Sequence, residues 1–276
     1  MSVRWNYLLI LLFVLILPVS ASAEGNVQVV EKEGEANLGD DTTPQQAKLI
    51  ALNNARRAAI EQVSGATIHG SSVVYNAELV SDLVVSATRG VIVGEEILKG
   101  ELLKRGSAIV YAVKIRAHVK ALPGRETSKL RMSNEAVVRY GSSLAVNGLV
   151  LQDGDEIQVK TRVNDNVWLH LFSIDQNGKV SQLYPNEYTE GQLLPADREF
   201  VFPSEEQRAM GLNLRVRLPR GASRMAESIL FVATIDKKNI SCCAKGDTTI
   251  TDLMKELSDL NPAFWIEKAV GYEVRR

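Results

Sequence analysis

The chain has 276 residues, 45% of them hydrophobic and 24% charged, with a formal net charge of −1. That length accommodates two ordinary domains, and the composition excludes a chain disordered throughout. The near-neutral balance argues against a nucleic-acid binder, whose affinity comes mostly from clustered Lys and Arg neutralising phosphates.

The opening MSVRWNYLLILLFVLILPVSASA carries Arg4, an unbroken apolar run from Leu8 to Leu17, Pro18, and then Ala21-Ser22-Ala23. This is the layout of a secretory signal peptide, predicted over 1–23 with cleavage after Ala23. A spanning helix needs about 20 apolar residues, and this run stops short at Pro18. The expectation is therefore export, with no membrane span left after cleavage. Removing the segment takes away one Arg and no acid, lowering the net charge by one unit.

A first module is predicted over 24–121. NVQVVEKEGEANLG reads as a strand running into a polar turn. Thr43, Pro44 and Gln46 then combine a cap, a proline at the first helical position and a capping-box partner. Along the helix that follows, Leu49, Leu52, Ala59 and Val63 share one side, widened by Ala47, Ala51, Ala55 and Ala58. Such a face predicts a helix lying flat on a sheet, with Arg56 out of pattern and Gly65 as the stop.

A second helix is predicted from about Asn76 to Arg89, with Leu79, Leu83 and Ala87 in line, Val80 and Val84 beside them, and Gly90 as its end. VIVGEEILKGELL then leads through Lys104-Arg105-Gly106 into AIVYAVKIRAHVK. There Tyr111, Val113, Ile115, Ala117 and Val119 alternate with Lys114, Arg116, His118 and Lys120. The basic face has two readings, a surface for an anionic partner or a solvated sheet face; one-sided alternation of this kind favours the second.

The succession of a strand, the Ala-rich PQQAKLIALNNARRAAIEQVSG, a helix ending ELVSDLVVSATRG, then VIVGEEIL and YAVKIRAHV, resembles the N-terminal domain of the flagellar assembly T protein family. The resemblance implies two helices packed on an antiparallel sheet and a periplasmic location, and it brings no catalytic residues.

LPGRETSKLRMSNEAVVRYGSS, from Leu122 to Ser143, mixes Pro, Gly, Ser and charges and is predicted to be a linker with one short helix. Beyond it a second module, 144–276, turns to β pattern. Ile157, Val159, Thr161 and Val163 alternate, and Asn164-Asp165-Asn166 makes a turn. In VWLHLFSID, Val167, Leu169 and Leu171 face one way and Trp168, His170, Phe172 and Ile174 the other. A strand apolar on both faces is central, covered on both sides. Asn177-Gly178 signals a tight hairpin into KVSQLYP. Further strands are predicted at Leu212–Leu218, Ile229–Asp236 and AVGYEVRR, with a short helix in TTITDLMKELSDL capped by Thr248 or Thr251. The predicted fold class is α+β: an N-terminal antiparallel sheet with two helices, followed by a mostly β, sandwich-like domain.

The stretch LHLFSIDQNGKVSQLYPNEY with Pro195, Phe202-Pro203 and ILFVATID resembles a β-rich bacterial domain family of unknown function. That family occurs at the ends of exported proteins and behind some bacterial kinases and caspase-like peptidases. The resemblance implies a recruitment or sensing module and carries no activity.

Chemistry-bearing motifs are sparse. His69, His118 and His170 are scattered without metal-ligand spacing, and neither Asp153-Asp155-Glu156 nor Asp175-Asn177 fits a calcium loop. No nucleophile elbow, phosphate loop or dinucleotide fingerprint occurs. The adjacent Cys242 and Cys243 leave three readings open: a strained vicinal disulfide, bonds to another chain, or two thiols without function. We therefore expect no enzyme, no cofactor, no metal and no nucleic-acid partner. The expected function is scaffolding or assembly of a cell-envelope structure through contacts with envelope proteins; ligand or glycan sensing is the alternative. Candidate binding residues are Tyr184, Pro185, Asn186 and Tyr188, where a strand ends.

Overall fold

A computed structural model describes residues 27–39, 43–65, 90–121, 129–141, 149–175, 178–238, 240 and 248–276. The predicted signal peptide, the predicted helix from Asn76 to Arg89, His69, Cys242 and Cys243 lie outside the described residues. Among the described residues, no helix is long and apolar enough to cross a membrane.

The N-terminal unit consists of β1 (Val27–Leu38), α1 (Pro44–Ser64), β2 (Gly90–Arg105) and β3 (Ala108–Ala121). The strands form an antiparallel sheet in the order β1-β3-β2, and the β2–β3 hairpin turns at Gly106, whose φ of 62° favours glycine. α1 lies on one face of it. Ala47, Ala51, Leu52, Ala55, Ala59 and Ile60 meet Val30, Ala36, Val113, Ile115, Ala117 and Val119 in one apolar layer. The alanines permit a close approach, and Gly34 completes it: a Cβ there would collide with the Ala51 carbonyl and the Ala55 amide. Gly65, with φ of 67°, ends the helix as its N–H bonds the Glu61 carbonyl.

Arg56 finds its reason in the fold. Its Nε and Nη2 reach the two carboxylate oxygens of Glu95 on β2 at 2.8 and 2.5 Å, tying helix to sheet. On the opposite sheet face the basic row is matched by acids: Arg116 pairs with Glu31 and Glu96, and Lys114 with Glu31. The middle of that row, Lys114 and Arg116, is therefore paired with acids across the strands.

The C-terminal unit contains β4 (Met132–Arg139), β5 (Leu149–Gln152), β6 (Glu156–Val163), β7 (Val167–Asp175), β8 (Val180–Tyr184), β9 (Leu193–Leu194), β10 (Glu199–Phe202), α2 (Glu205–Ala209), β11 (Leu214–Arg215), β12 (Arg224–Thr234), α3 (Ile250–Ser258) and β13 (Trp265–Arg275). β6 is flanked by β4 on one side and by β10 and β11 on the other. The larger sheet runs β5-β13-β12-β7-β8, with β9 also on β7. These two sheets pack face to face through Val137, Ile157, Val159 and Val163 on one side and Leu169, Leu171, Ile229, Phe231 and Tyr272 on the other. α3 covers the back of the larger sheet with Ile250, Leu253, Met254 and Leu257 against Phe172, Ile174, Leu230 and Val232.

β7 thus separates two cores, as its two apolar faces required. Trp168 departs from the expected burial: it is half-buried at the end of the strand, and the Lys237 ammonium lies 4.9 Å from its ring centre.

Three local expectations are corrected. The stretch read as a linker with a short helix holds β4 instead, paired to β6 across an irregularity between Ser133 and Ala136 and with Asn134 at φ 59°. The bulge breaks the alternation, so the strand is poorly marked in sequence. Of Leu212–Leu218 only Leu214–Arg215 pairs. The cap of α3 is Thr249 rather than Thr248 or Thr251. Its Oγ1 accepts the Asp252 N–H at 3.3 Å while Asp252 Oδ2 accepts the Thr249 N–H at 2.9 Å.

Candidate functional site

The four predicted binding residues lie in one turn after β8 but divide into a frame and a tip. Tyr184 pairs with Leu171 across the strands and is 3% exposed, its ring 5.1 and 5.3 Å from those of Phe200 and Phe202. Its hydroxyl accepts the Gln192 N–H at 3.0 Å, and burial pushes its pKa up. The expectation of a surface tyrosine here is corrected: the ring is worth more in the inter-sheet core, where its one polar atom is satisfied.

Asn186 holds the turn. Its Oδ1 accepts the Tyr188 N–H at 2.9 Å, its Nδ2 donates to the Leu183 carbonyl at 2.6 Å, and its backbone exchanges hydrogen bonds with Thr189 at 3.0 and 3.2 Å. Pro185, half-buried, packs beside Gly191, where a Cβ would stand 3.4 Å from the ring. Tyr188 is the tip. It is 79% exposed, and its hydroxyl donates to the Glu187 carboxylate, which raises its pKa. The turn itself carries two acids, Glu187 and Glu190, and no base.

Trp168 and His170 do not join this turn. Tyr184 faces the inter-sheet core, whereas Trp168 and His170 stand on the α3 side of the same sheet. A single aromatic platform of Trp168, His170, Tyr184 and Tyr188 is therefore not formed.

Two polar groupings assembled by the fold have no local signature in the sequence. Glu227 of β12 is half-buried between β7 and β13, where Ser173 Oγ donates to one carboxylate oxygen and Tyr272 Oη donates to the other at 2.6 Å. Burial raises the Glu227 pKa, and Asp175 adds to the rise. The Tyr272 hydroxyl is pushed well above its usual range by burial and then by Glu227. Ser173 faces this carboxylate while His170 on the same strand points to the other face, so the two make no serine–histidine pair. At the far edge, the Arg208 guanidinium stacks 3.3 Å from the Tyr140 ring centre and bonds Glu156 at 2.5 Å, and Glu156 also takes Arg215 at 2.5 Å. The interacting pairs here are 52 to 68 residues apart, beyond any motif spacing. Among the described residues, no three His, Cys, Asp or Glu side chains gather in a way that could hold a metal ion.

The C-terminal unit is thus a β sandwich backed by one helix, with a rigid acidic turn at its surface. Residues 150–234 within it match the family described as Domain of unknown function (DUF4384). The match begins in β5 and ends at the last residue of β12, so α3 and β13, which complete the larger sheet and its cover, lie beyond it. No curated protein matches the chain.

Proposed function

We propose that this is a non-enzymatic exported protein that scaffolds or assembles a cell-envelope structure through protein–protein contacts, with the turn carrying Tyr188 as a contact point. The observation that carries this reading is the combination of high exposure at Tyr188 and a frame locked by hydrogen bonds on both sides of it. A large aromatic held on a rigid turn loses little freedom on binding, which is what contact residues at interfaces need. The secretory layout of residues 1–23 and the resemblance of the first module to the flagellar assembly T N-terminal domain support a periplasmic setting, with the first module docking and the second recruiting.

A photo-cross-linking residue placed at position 188 in intact cells tests it. Discrete complexes with envelope proteins are expected, and in purified form Tyr188→Ala should weaken the captured partner's affinity at least tenfold without changing thermal unfolding. Monomer alone at native abundance, or equal affinity of the variant, would refute the reading. Glycan sensing, the second reading, predicts instead that cell-wall fragments change the fluorescence of the half-buried Trp168.

A further inference from the structure

Beyond this contact turn, the fold places a buried histidine beneath α3, a helix that also touches the N-terminal unit. His170 is 3% exposed, and neither ring nitrogen has a hydrogen-bond partner. Its ring runs nearly parallel to Phe172, 6.3 Å away centre to centre, among the side chains that α3 covers. α3 reaches further. The apolar layer it forms with Leu253, Met254 and Leu257 also holds Val91, 2% exposed, on the face of β2 that points away from α1. That residue comes from the N-terminal sheet, so one short helix seals His170 and clasps the neighbouring unit.

We propose that α3 is an acid-released latch: protonation of His170 favours lifting of the helix, and lifting the helix frees β2 of the N-terminal unit. An imidazolium in this layer would be a charge stripped of water, so the proton goes on far more readily once α3 has moved away and water reaches the ring. Glu256 on α3 acts in the opposite sense, favouring the charged ring, yet burial outweighs it. The other charged groups on elements packed there are Glu267, in register with His170 through Val232, Lys237 over Trp168, and His118 and Lys120 of β3 beside Gly94 and Val91. Neither ring nitrogen makes a hydrogen bond to any of these groups, so a proton on the docked ring would have no acceptor to hold it.

The magnitude follows from linkage. Burial lowers the pKa of His170 from 6.5 to about 4 in the docked form. With the ordinary value restored in the lifted form, acidification from pH 7.5 to 5.0 multiplies the lifted-to-docked ratio by about 30. α3 is held by contacts that survive this change, including the bonds from Ile250 N–H to the Gly178 carbonyl and Val180 N–H to the Thr248 carbonyl. These keep the N-terminal end of the helix tethered to the β7–β8 hairpin while the rest opens.

Hydrogen–deuterium exchange of the full chain at pH 7.5 and 5.0, corrected for intrinsic exchange rate, tests the latch. The peptide covering 250–258 should lose protection about 30-fold at the lower pH while the thiol of a Val91→Cys variant, read by mass spectrometry against a free thiol at the same pH, becomes open to alkylation, and His170→Phe and His170→Gln should each reduce that loss to less than threefold. Two non-titrating variants of different polarity are used so that a packing defect in one does not decide the outcome, and Val91→Asp should expose 250–258 already at pH 7.5. The proposal is overturned if the variants respond to acid as the wild type does, or if 250–258 opens while the thiol at position 91 stays closed to alkylation.

Discussion

Gly34→Ala is the sharpest test of how the N-terminal unit holds together. The added methyl would fall within the contact distance of the Ala51 carbonyl oxygen and the Ala55 amide nitrogen, and 3.1 Å from Ala55 Cα. All three are backbone atoms of α1, so no rotamer change relieves the clash. The helix must withdraw, by on the order of 1 Å if normal separations are to be restored, and a gap of that size forfeits roughly a quarter to a half of each contact it opens. The contacts at stake are those of Ala47, Ala51, Ala55, Ala59 and Ile60 with β1 and β3. Overpacking of this kind costs about 1–3 kcal/mol in tolerant cores, and with no flexible neighbour the upper end applies, about 3 kcal/mol. Urea unfolding followed by far-ultraviolet circular dichroism measures it, with Gly39→Ala as the control, since a Cβ at Gly39 meets nothing within 4 Å. If Gly34→Ala falls within about 0.5 kcal/mol of the wild type, a difference typical of inconsequential surface changes, the close approach of helix and sheet is wrong.

Glu227 and the α3 cap give two more tests. The Glu227 pKa is raised in the folded protein, so its stabilising effect is complete below the ordinary carboxylate value and is lost as pH rises through the raised one. Glu227→Gln should therefore flatten that part of the pH–stability curve and, measured by urea unfolding, cost less at pH 8 than at pH 4, while Glu227→Ala, which strands the Ser173 and Tyr272 hydroxyls, should cost about 1–3 kcal/mol at the lower pH. A Gln variant destabilised equally at both pH values would contradict the raised pKa. Thr249→Ala removes the acceptor for the Asp252 N–H and should lower stability by about 1 kcal/mol, with faster exchange of the first α3 amides; no change would show that the cap contributes nothing.

The elements legible in the sequence are those whose burial follows a simple period. β3 alternates and buries Val113, Ile115, Ala117 and Val119 on one side. β7 is apolar on both faces because sheet and helix lie on either side of it. The α1 start at Pro44 and its stop at Gly65 follow from backbone chemistry within a few residues. β4 escaped because its bulge and the left-handed Asn134 break the period. The turn after β8 was legible because Pro and Asn mark the end of a strand, but the exposure of each tyrosine in it is set by what faces it.

Composition and periodicity by themselves determined the division into an α+β unit and a β-rich unit, the central place of β7 and the turn at Pro185-Asn186, because these depend on interactions between near neighbours in the chain. Tertiary structure alone decided that Tyr184 is core and Tyr188 surface, that Glu227 meets Ser173 and Tyr272, and that Val91 shares a layer with α3. Those partners lie tens of residues or more apart, and burial, hydrogen bonding and desolvation act on whatever the fold brings within a few ångströms, a proximity that no local pattern encodes.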